Sequence, residues 1–157
     1  MRGLTTCLWF DTQAEEAANF YTSVFDDGKI HNVAHYGSAG PREAGMVMTV
    51  DFEVAGQRFV ALNGGPEFTF NEAVSIQIDC ESQDEVDRYW AALSEGGEEG
   101  PCGWLKDRFG VSWQVIPVLL NELVNDPNEE KAQAAMAAML KMRKIDSAAI
   151  QAAYDNA

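Results

Sequence analysis

Most strands of this chain announce themselves by alternation. In GVSWQV (110–115), Val111, Trp113 and Val115 share one face while Ser112 and Gln114 share the other. Strand residues two apart point the same way. The same reasoning predicts strands at GLTTCLWF (3–10), KIHNVAHY (29–36), MVMTVDFEV (46–54), QRFVALN (57–63) and VSIQIDC (74–80). The period lengthens to a helical one after TQAE, a capping box with Thr12 at the N-cap and Glu15 three residues on. Ala14, Ala17, Ala18, Tyr21, Val24 and Phe25 form that helix's apolar face, and DDG (26–28) stops it. A second capping box, SQDE (82–85), precedes an apolar stripe of Val86, Tyr89, Trp90 and Leu93, which ends at EGGEEG (95–100). The hairpin GWLKDRFGVSWQV follows and stops at Pro117. GSAGPREAG (37–45) and GGPEFTFNEA (64–73) read as loop and linker.

The order of elements repeats. A shift of 69 residues carries Ala17, Phe20, Tyr21 and Val24 onto Val86, Tyr89, Trp90 and Leu93, and Thr6 onto Ser75. Strand, capping box, helix and strands therefore occur twice, which predicts two βαβββ-like modules. The remaining forty residues differ. Asp126 as N-cap, Pro127 at N1 and Glu129 at N3 predict a helix with Ala132, Ala135, Met136, Met139 and Leu140 on one stripe. DSAAIQAAY (146–154) predicts another.

Composition narrows the function classes. The net charge of −14 repels phosphate backbones and anionic membranes, so neither nucleic acid nor a membrane surface is an expected partner. No apolar stretch approaches the roughly 20 residues of a membrane span. The opening MRGLTTCLWFD has no long apolar run, which predicts no signal peptide. Cys7, Cys80 and Cys102 are odd in number and lack CxxC spacing, so reduced thiols in a cytoplasm are expected.

The stretches LWFDTQAEEAANFYTSVF, FVALNGGPEFTFNEAVSIQIDCESQDEVDRYWAALSEGG and CGWLKDRFGVSWQVIP resemble the PhnB-like branch of the glyoxalase, bleomycin-resistance and extradiol-dioxygenase superfamily, also called vicinal oxygen chelate. The resemblance runs over about residues 4 to 117. It implies an α+β fold in which two βαβββ modules form a curled, partly open barrel, with a C-terminal helical tail of the kind this branch tends to carry. Residues 1–117 then form the glyoxalase-like domain, with modules of about 1–70 and 71–117, and 118–157 the helical extension. A symmetric homodimer is implied as well. In metal-dependent relatives four inward side chains hold a divalent ion, and those positions fall near Thr6, Ala61, Ser75 and Gln114. His and carboxylate ligands are needed there, and Thr, Ala, Ser and Gln are poor substitutes, so no metal is expected. The branch is often labelled demethylubiquinone methyltransferase. A methyl-donor site usually needs strand, Gly-rich turn and helix. The two Gly-rich stretches, HYGSAGPREAG and NGGPEF, do not fit that order, and no cofactor is expected.

The candidate ligand-binding residues are Thr6, Asn63, Ser75, Gln77, Trp104 and Gln114. Ser75, Gln77 and Asp79 share a strand face, and Trp104 with Asn63 offers an aromatic plate and an amide to a planar ligand. His31 and His35 lie roughly 13 Å apart on a strand, too far to share a metal directly, and read as edge residues. Cys7 has nothing nearby to lower its pKa and reads as a core thiol; Trp9 and Trp113 either pack under helices or line a cavity. Three classes follow: a metal-free small-molecule binding protein; an isomerase, lyase or transferase drawing on Asp11, Asp79 or a histidine; and a dimerisation or regulatory domain whose cavity is filled by its own side chains.

Overall fold

The computed structural model describes all 157 residues and divides the chain into two units, Met1–Phe70 and Asn71–Ala157. In the first unit the order is β1 (Thr6–Phe10), α1 (Ala14–Val24), β2 (Lys29–His35), β3 (Val47–Val54) and β4 (Gln57–Asn63). The sheet runs β1-β4-β3-β2, with β1 parallel to β4 and the other pairs antiparallel. Only a crossover can join parallel strands, and β1 returns to β4 by way of α1, β2 and β3. The β3–β4 hairpin turns on Ala55 and Gly56, both at positive φ (50° and 72°), the two-residue turn whose twist suits paired strands. The Ala55 N–H donates to Asp27 at 2.9 Å.

Small residues let α1 lie close to the sheet. Ala14, Ala17 and Ala18 are buried beside Tyr21, whose ring stacks on Phe52 at 5.9 Å; Phe52 stacks in turn on Phe59 at 5.2 Å. The start of α1 departs from the expected capping box. The N-cap is Gln13, not Thr12, and it makes no side-chain cap bond. Asn63, at the end of β4, supplies the acceptor instead: its Oδ1 takes the Ala14 N–H at 2.8 Å. The helix begins one residue too late for Thr12 to reach it, and a residue 49 positions away does the capping.

The second unit repeats the plan. It contains β5 (Ile76–Cys80), α2 (Gln83–Ser94), β6 (Glu98–Glu99), β7 (Trp104–Lys106) and β8 (Ser112–Pro117), with sheet order β5-β8-β7-β6 and β5 parallel to β8. Ser82 caps α2 as the sequence implies, accepting from the Glu85 N–H at 3.2 Å. Val86, Trp90 and Leu93 bury against the sheet. The two-residue strand β6 lies in EGGEEG, a stretch too short to alternate; Glu99 there accepts from the Trp90 indole at 2.9 Å.

Residues beyond Pro117 join this unit. They form α3 (Val118–Val124), α4 (Glu129–Met139) and α5 (Ser147–Asp155). The sequence reading missed α3, which starts directly from the end of β8 with Pro117 as its N-cap. It also placed the α4 cap two residues early. Asp126 commits its carboxylate to an Asx turn with the Asn128 N–H (2.8 Å), and Asn128 caps the helix by accepting from Lys131 at 3.3 Å. Ile116, Leu120, Leu123, Ala135, Ile145 and Ile150 make a buried cluster that fastens the helices to the sheet. Gln83 clamps α5 to α2, donating to the Ile145 carbonyl and accepting from the Ser147 N–H, both at 2.9 Å.

A buried carboxylate sets the β7–β8 hairpin. Asp107 is 3% exposed. Its Oδ1 accepts from the Phe109 and Val111 N–H groups at 2.8 and 3.1 Å, and its Oδ2 from the Trp113 indole at 2.8 Å. Every one of these partners is a donor, so a carboxylate suits the position and an amide does not. Asp107→Asn is expected to lower stability by about 1–3 kcal/mol in urea melts, because one donor would face another donor. An Asn variant as stable as the parent would contradict this assignment.

The core thiol is Cys80, whereas Cys7 is exposed, opposite to what was expected of Cys7. Burial, then the Glu85 and Asp79 carboxylates, push the Cys80 pKa up to about 12. Because the thiolate is the reactive form, maleimide at pH 8 should leave Cys80 unmodified in the folded protein and label it once urea is added. Peptide mass spectrometry reads the difference; equal labelling in both states would refute it.

Candidate functional site

Register decides which side chains share a face. In the second unit Ile76, Ile78, Cys80, Trp113 and Val115 fall on the face that α2 covers. Gln77 pairs with Gln114, Trp104 with Gln114, and Lys106 with Ser112. With Ser75 and Asp79 these residues occupy the face turned away from α2. Gln114 donates from Nε2 to Ser75 Oγ at 2.9 Å, and Gln77 donates from Nε2 to Asp79 Oδ1 at 2.7 Å. Ser75, Gln77, Trp104 and Gln114 are thus brought together.

Trp104 is held in place by its strand start. Cys102 and Gly103 both have positive φ (56° and 82°), and a β-carbon at Gly103 would fall 2.9 Å from the Val115 carbonyl oxygen. Only glycine allows β7 to approach β8 there, where the Val115 N–H donates to the Gly103 carbonyl at 2.8 Å.

Two clefts meet at Trp104 and Cys102. The smaller, about 240 Å³, is lined by Gln77, Gln114 and Trp104 together with side chains of α3 and α4. The larger, about 420 Å³, takes Ser112 and the charged groups Glu72, Glu98, Glu99 and Lys106. Lys106 forms an ion pair with Glu72. The hydrogen bond between them, more than their charge, holds the Glu72 carboxyl below its usual range and the Lys106 ammonium above its own. Both therefore stay ionised through the neutral range. Ser112 Oγ is buried and has no hydrogen-bond partner.

The remaining candidates belong to the first unit. Thr6 shares strand parity with Leu8 and Phe10, and Ala61 with Phe59, so both fall on the face that α1 covers. Cys7, Trp9, Val60 and Leu62 carry the opposite face. By pairing, Val60 rather than Ala61 is the counterpart of Gln114, and Cys7 rather than Thr6 that of Gln77. The 69-residue shift that aligns the helices is one residue short for the first strands. Asn63 is 2% exposed with its amide engaged at both ends: Oδ1 caps α1, and Nδ2 donates to the Val47 carbonyl at 3.0 Å. Its own carbonyl accepts the Tyr36 hydroxyl at 2.7 Å. Trp9 donates to the Gly65 carbonyl at 2.8 Å and meets Phe68 edge-on at 5.0 Å. His31 pairs with Glu53 at 3.0 Å on the edge strand β2, and Asp11 with Arg42 at 3.0 Å.

Sequence reasoning missed Asp107, Lys106 and Glu72, and placed Ser112 on the Gln114 face without naming it a candidate. Asp107 was the detectable one: an acidic residue inside a hairpin, five positions before the strand resumes at Ser112, is a turn-former in waiting. Glu72 lies in the linker, where no period links it to Lys106.

The donor set does not fit a resident divalent ion. Ser75 and Gln114 offer a hydroxyl and a neutral amide, Thr6 and Ala61 lie on the helix side, and no three His, Cys, Asp or Glu side chains converge anywhere in the chain.

No curated protein matches the chain. Among solved structures, a PhnB protein from Bacillus cereus, described as a putative 3-demethylubiquinone-9 3-methyltransferase, is 35% identical, covering 74% of this chain and 100% of its own, with a TM-score of 0.66. Protein PA1353 from Pseudomonas aeruginosa is 23% identical over 74% of this chain and 98% of its own (TM-score 0.62). A mutant of the fosfomycin resistance protein FosX from Listeria monocytogenes, complexed with Mn(II) and 1S,2S-dihydroxypropylphosphonic acid, is 16% identical over 74% and 92% (TM-score 0.52). The last two share the fold alone. The family described as 3-demethylubiquinone-9 3-methyltransferase matches residues 2–116, which leaves α3, α4 and α5 outside the match. With that match, the repeated βαβββ plan and the Bacillus cereus neighbour, the chain belongs to this PhnB-like family of the glyoxalase superfamily.

Proposed function

We propose that this chain is a metal-free small-molecule binding protein whose ligand lies on the face of the second sheet turned away from α2. The observation that carries the reading is the row Ser75, Gln77 and Gln114 beside Trp104, of which Gln77, Gln114 and Trp104 line one cleft. Neutral amides orient a ligand without taking a proton from it, and an aromatic wall supplies burial. Clefts of about 240 and 420 Å³ remain between the side chains, which favours binding over a cavity filled by the protein itself.

Methyl transfer, the activity in the family's description, finds less support. A donor site is usually built as strand, Gly-rich turn and helix. Here residues 37–45 join β2 to β3, and Gly64 and Gly65 lead from β4 into the linker, so no Gly-rich turn opens a helix. The reading includes a symmetric homodimer, since each sheet ends on strands paired on one side only, and a cytoplasmic setting that keeps the three thiols free.

Native mass spectrometry of freshly purified protein is expected to report a dimer mass and a retained small molecule. Gln114→Leu should keep the fold and weaken retention by about 1–3 kcal/mol for each hydrogen bond to the ligand that it removes. A melting temperature that falls sharply in that variant, with ligand affinity intact in the folded fraction, would make Gln114 a structural strut and refute the reading. Elemental analysis after dialysis should find Zn, Ni, Mn and Fe below one equivalent; a full equivalent of any of them, absent from Gln114→Leu, would refute the metal-free assignment.

A further inference from the structure

The smaller cleft has two kinds of wall. The sheet contributes Gln77, Trp104, Gln114 and Ile116. Opposite them stand Leu120, Asn121 and Val124 of α3 and Met139 of α4. The family match stops at residue 116, and the Bacillus cereus neighbour is spanned completely by 74% of this chain. Half of the cleft is therefore built by helices that lie outside the family match.

These helices are a fixed wall. Ile116 leads from the sheet face straight into the buried cluster with Leu120, Leu123 and Ala135. The segment between α4 and α5 is tied to the loop before β7: the Cys102 N–H donates to the Met142 carbonyl at 2.8 Å, and the Gly103 N–H to the Arg143 carbonyl at 2.7 Å. Those two residues set the start of the Trp104 strand.

The cleft lining carries no charged side chain, in a protein with 11 basic and 25 acidic residues. Asp79 lies on the same sheet face but takes the Gln77 amide hydrogen and does not line the cleft. Gln77 and Gln114 each give one amide hydrogen to a neighbour, while their carbonyl oxygens accept no hydrogen bond within the chain. Two amide oxygens beside each other ask for a donor. An anion there would meet two amide oxygens, and a cation would find no carboxylate among the lining side chains, with Asp79 outside the cleft. We infer that the C-terminal helices complete the ligand site and select a neutral, partly apolar molecule with a hydrogen-bond-donating edge, of which a primary carboxamide or lactam is the chemical type. This rests on the reading that the sheet face binds a small molecule.

Benzamide, benzoate and benzamidine share one planar frame and differ in charge, which makes them suitable probes. Saturation-transfer NMR on the full chain should show benzamide bound and the two ions at background. Met139→Trp fills the helix side of the cleft and should abolish the benzamide signal, as should Gln114→Leu on the sheet side. Asn121 is exposed, so Asn121→Asp leaves folding intact even if the tryptophan variant does not fold, and it should raise benzamidine binding about threefold, the size of an exposed charge pair. Benzamide binding abolished in Gln114→Leu but kept in a folded Met139→Trp would overturn the role of the helices while sparing the sheet-face reading. Benzamidine bound as well as benzamide in the parent and unaffected by Met139→Trp would place the ligand in the neighbouring acidic cleft and overturn the selection for neutral molecules. No binding of any probe, or binding indifferent to both cleft variants, would overturn both readings. Asn121→Asp without a gain in benzamidine binding would remove the helix wall from the site.

Discussion

The β7–β8 hairpin hangs on the Asp107 carboxylate, and the rest of the second unit depends on that hairpin. Asp107 gathers two backbone N–H groups and the Trp113 indole into one buried knot. A strand that slips by one residue exchanges its two faces. By fixing the indole of Trp113 on the α2 side, the knot also fixes Ser112 and Gln114 on the other. The same constraint reaches β7, since Trp104 pairs with Gln114 and Lys106 with Ser112. One carboxylate in a turn thereby assigns apolar bulk to the core and polar groups to the cleft.

The first unit keeps the same strand order but arranges its polar groups differently. Asn63 occupies the end of β4, caps α1, and receives Tyr36 on its carbonyl. Its side-chain amide joins helix to strand, and its main-chain carbonyl holds the loop. The corresponding chemistry in the second unit is local: Ser82 caps α2 by itself, so the end of β8 is free to continue as α3. This difference lets the two copies of one plan diverge. The first closes upon itself through Asn63, Trp9 and the aromatic linker residues Phe68 and Phe70. The second extends from Pro117 into helices that wall a cleft.

Local signals made the strands and the two main helices legible. Alternation located β1 through β5 and β8, apolar stripes located α1, α2, α4 and α5, and the second capping box held because Ser82 and Glu85 are neighbours that need nothing from elsewhere. The polar row of Ser75, Gln77 and Gln114 was also readable, because parity along a strand is a property of spacing alone. The caps failed for two reasons, one distant and one local. Thr12 lost the cap of α1 to Asn63, and Asp126 lost the cap of α4 once its carboxylate closed a turn.

The sequence by itself determined the repeated α+β plan, the polar and apolar sides of each strand, and the scarcity of metal ligands at the resembling positions. The tertiary structure decided which strand residues stand beside each other. It showed Thr6 and Ala61 to be on the helix-covered side, since pairing register is set by contacts between strands more than 50 residues apart. It also made Asn63 a structural joint, joined Lys106 to Glu72, and brought Leu120 and Met139 opposite Gln114. A periodic pattern reports which way a residue points. It carries no information about what folds back to meet it, and the cleft is made of such meetings.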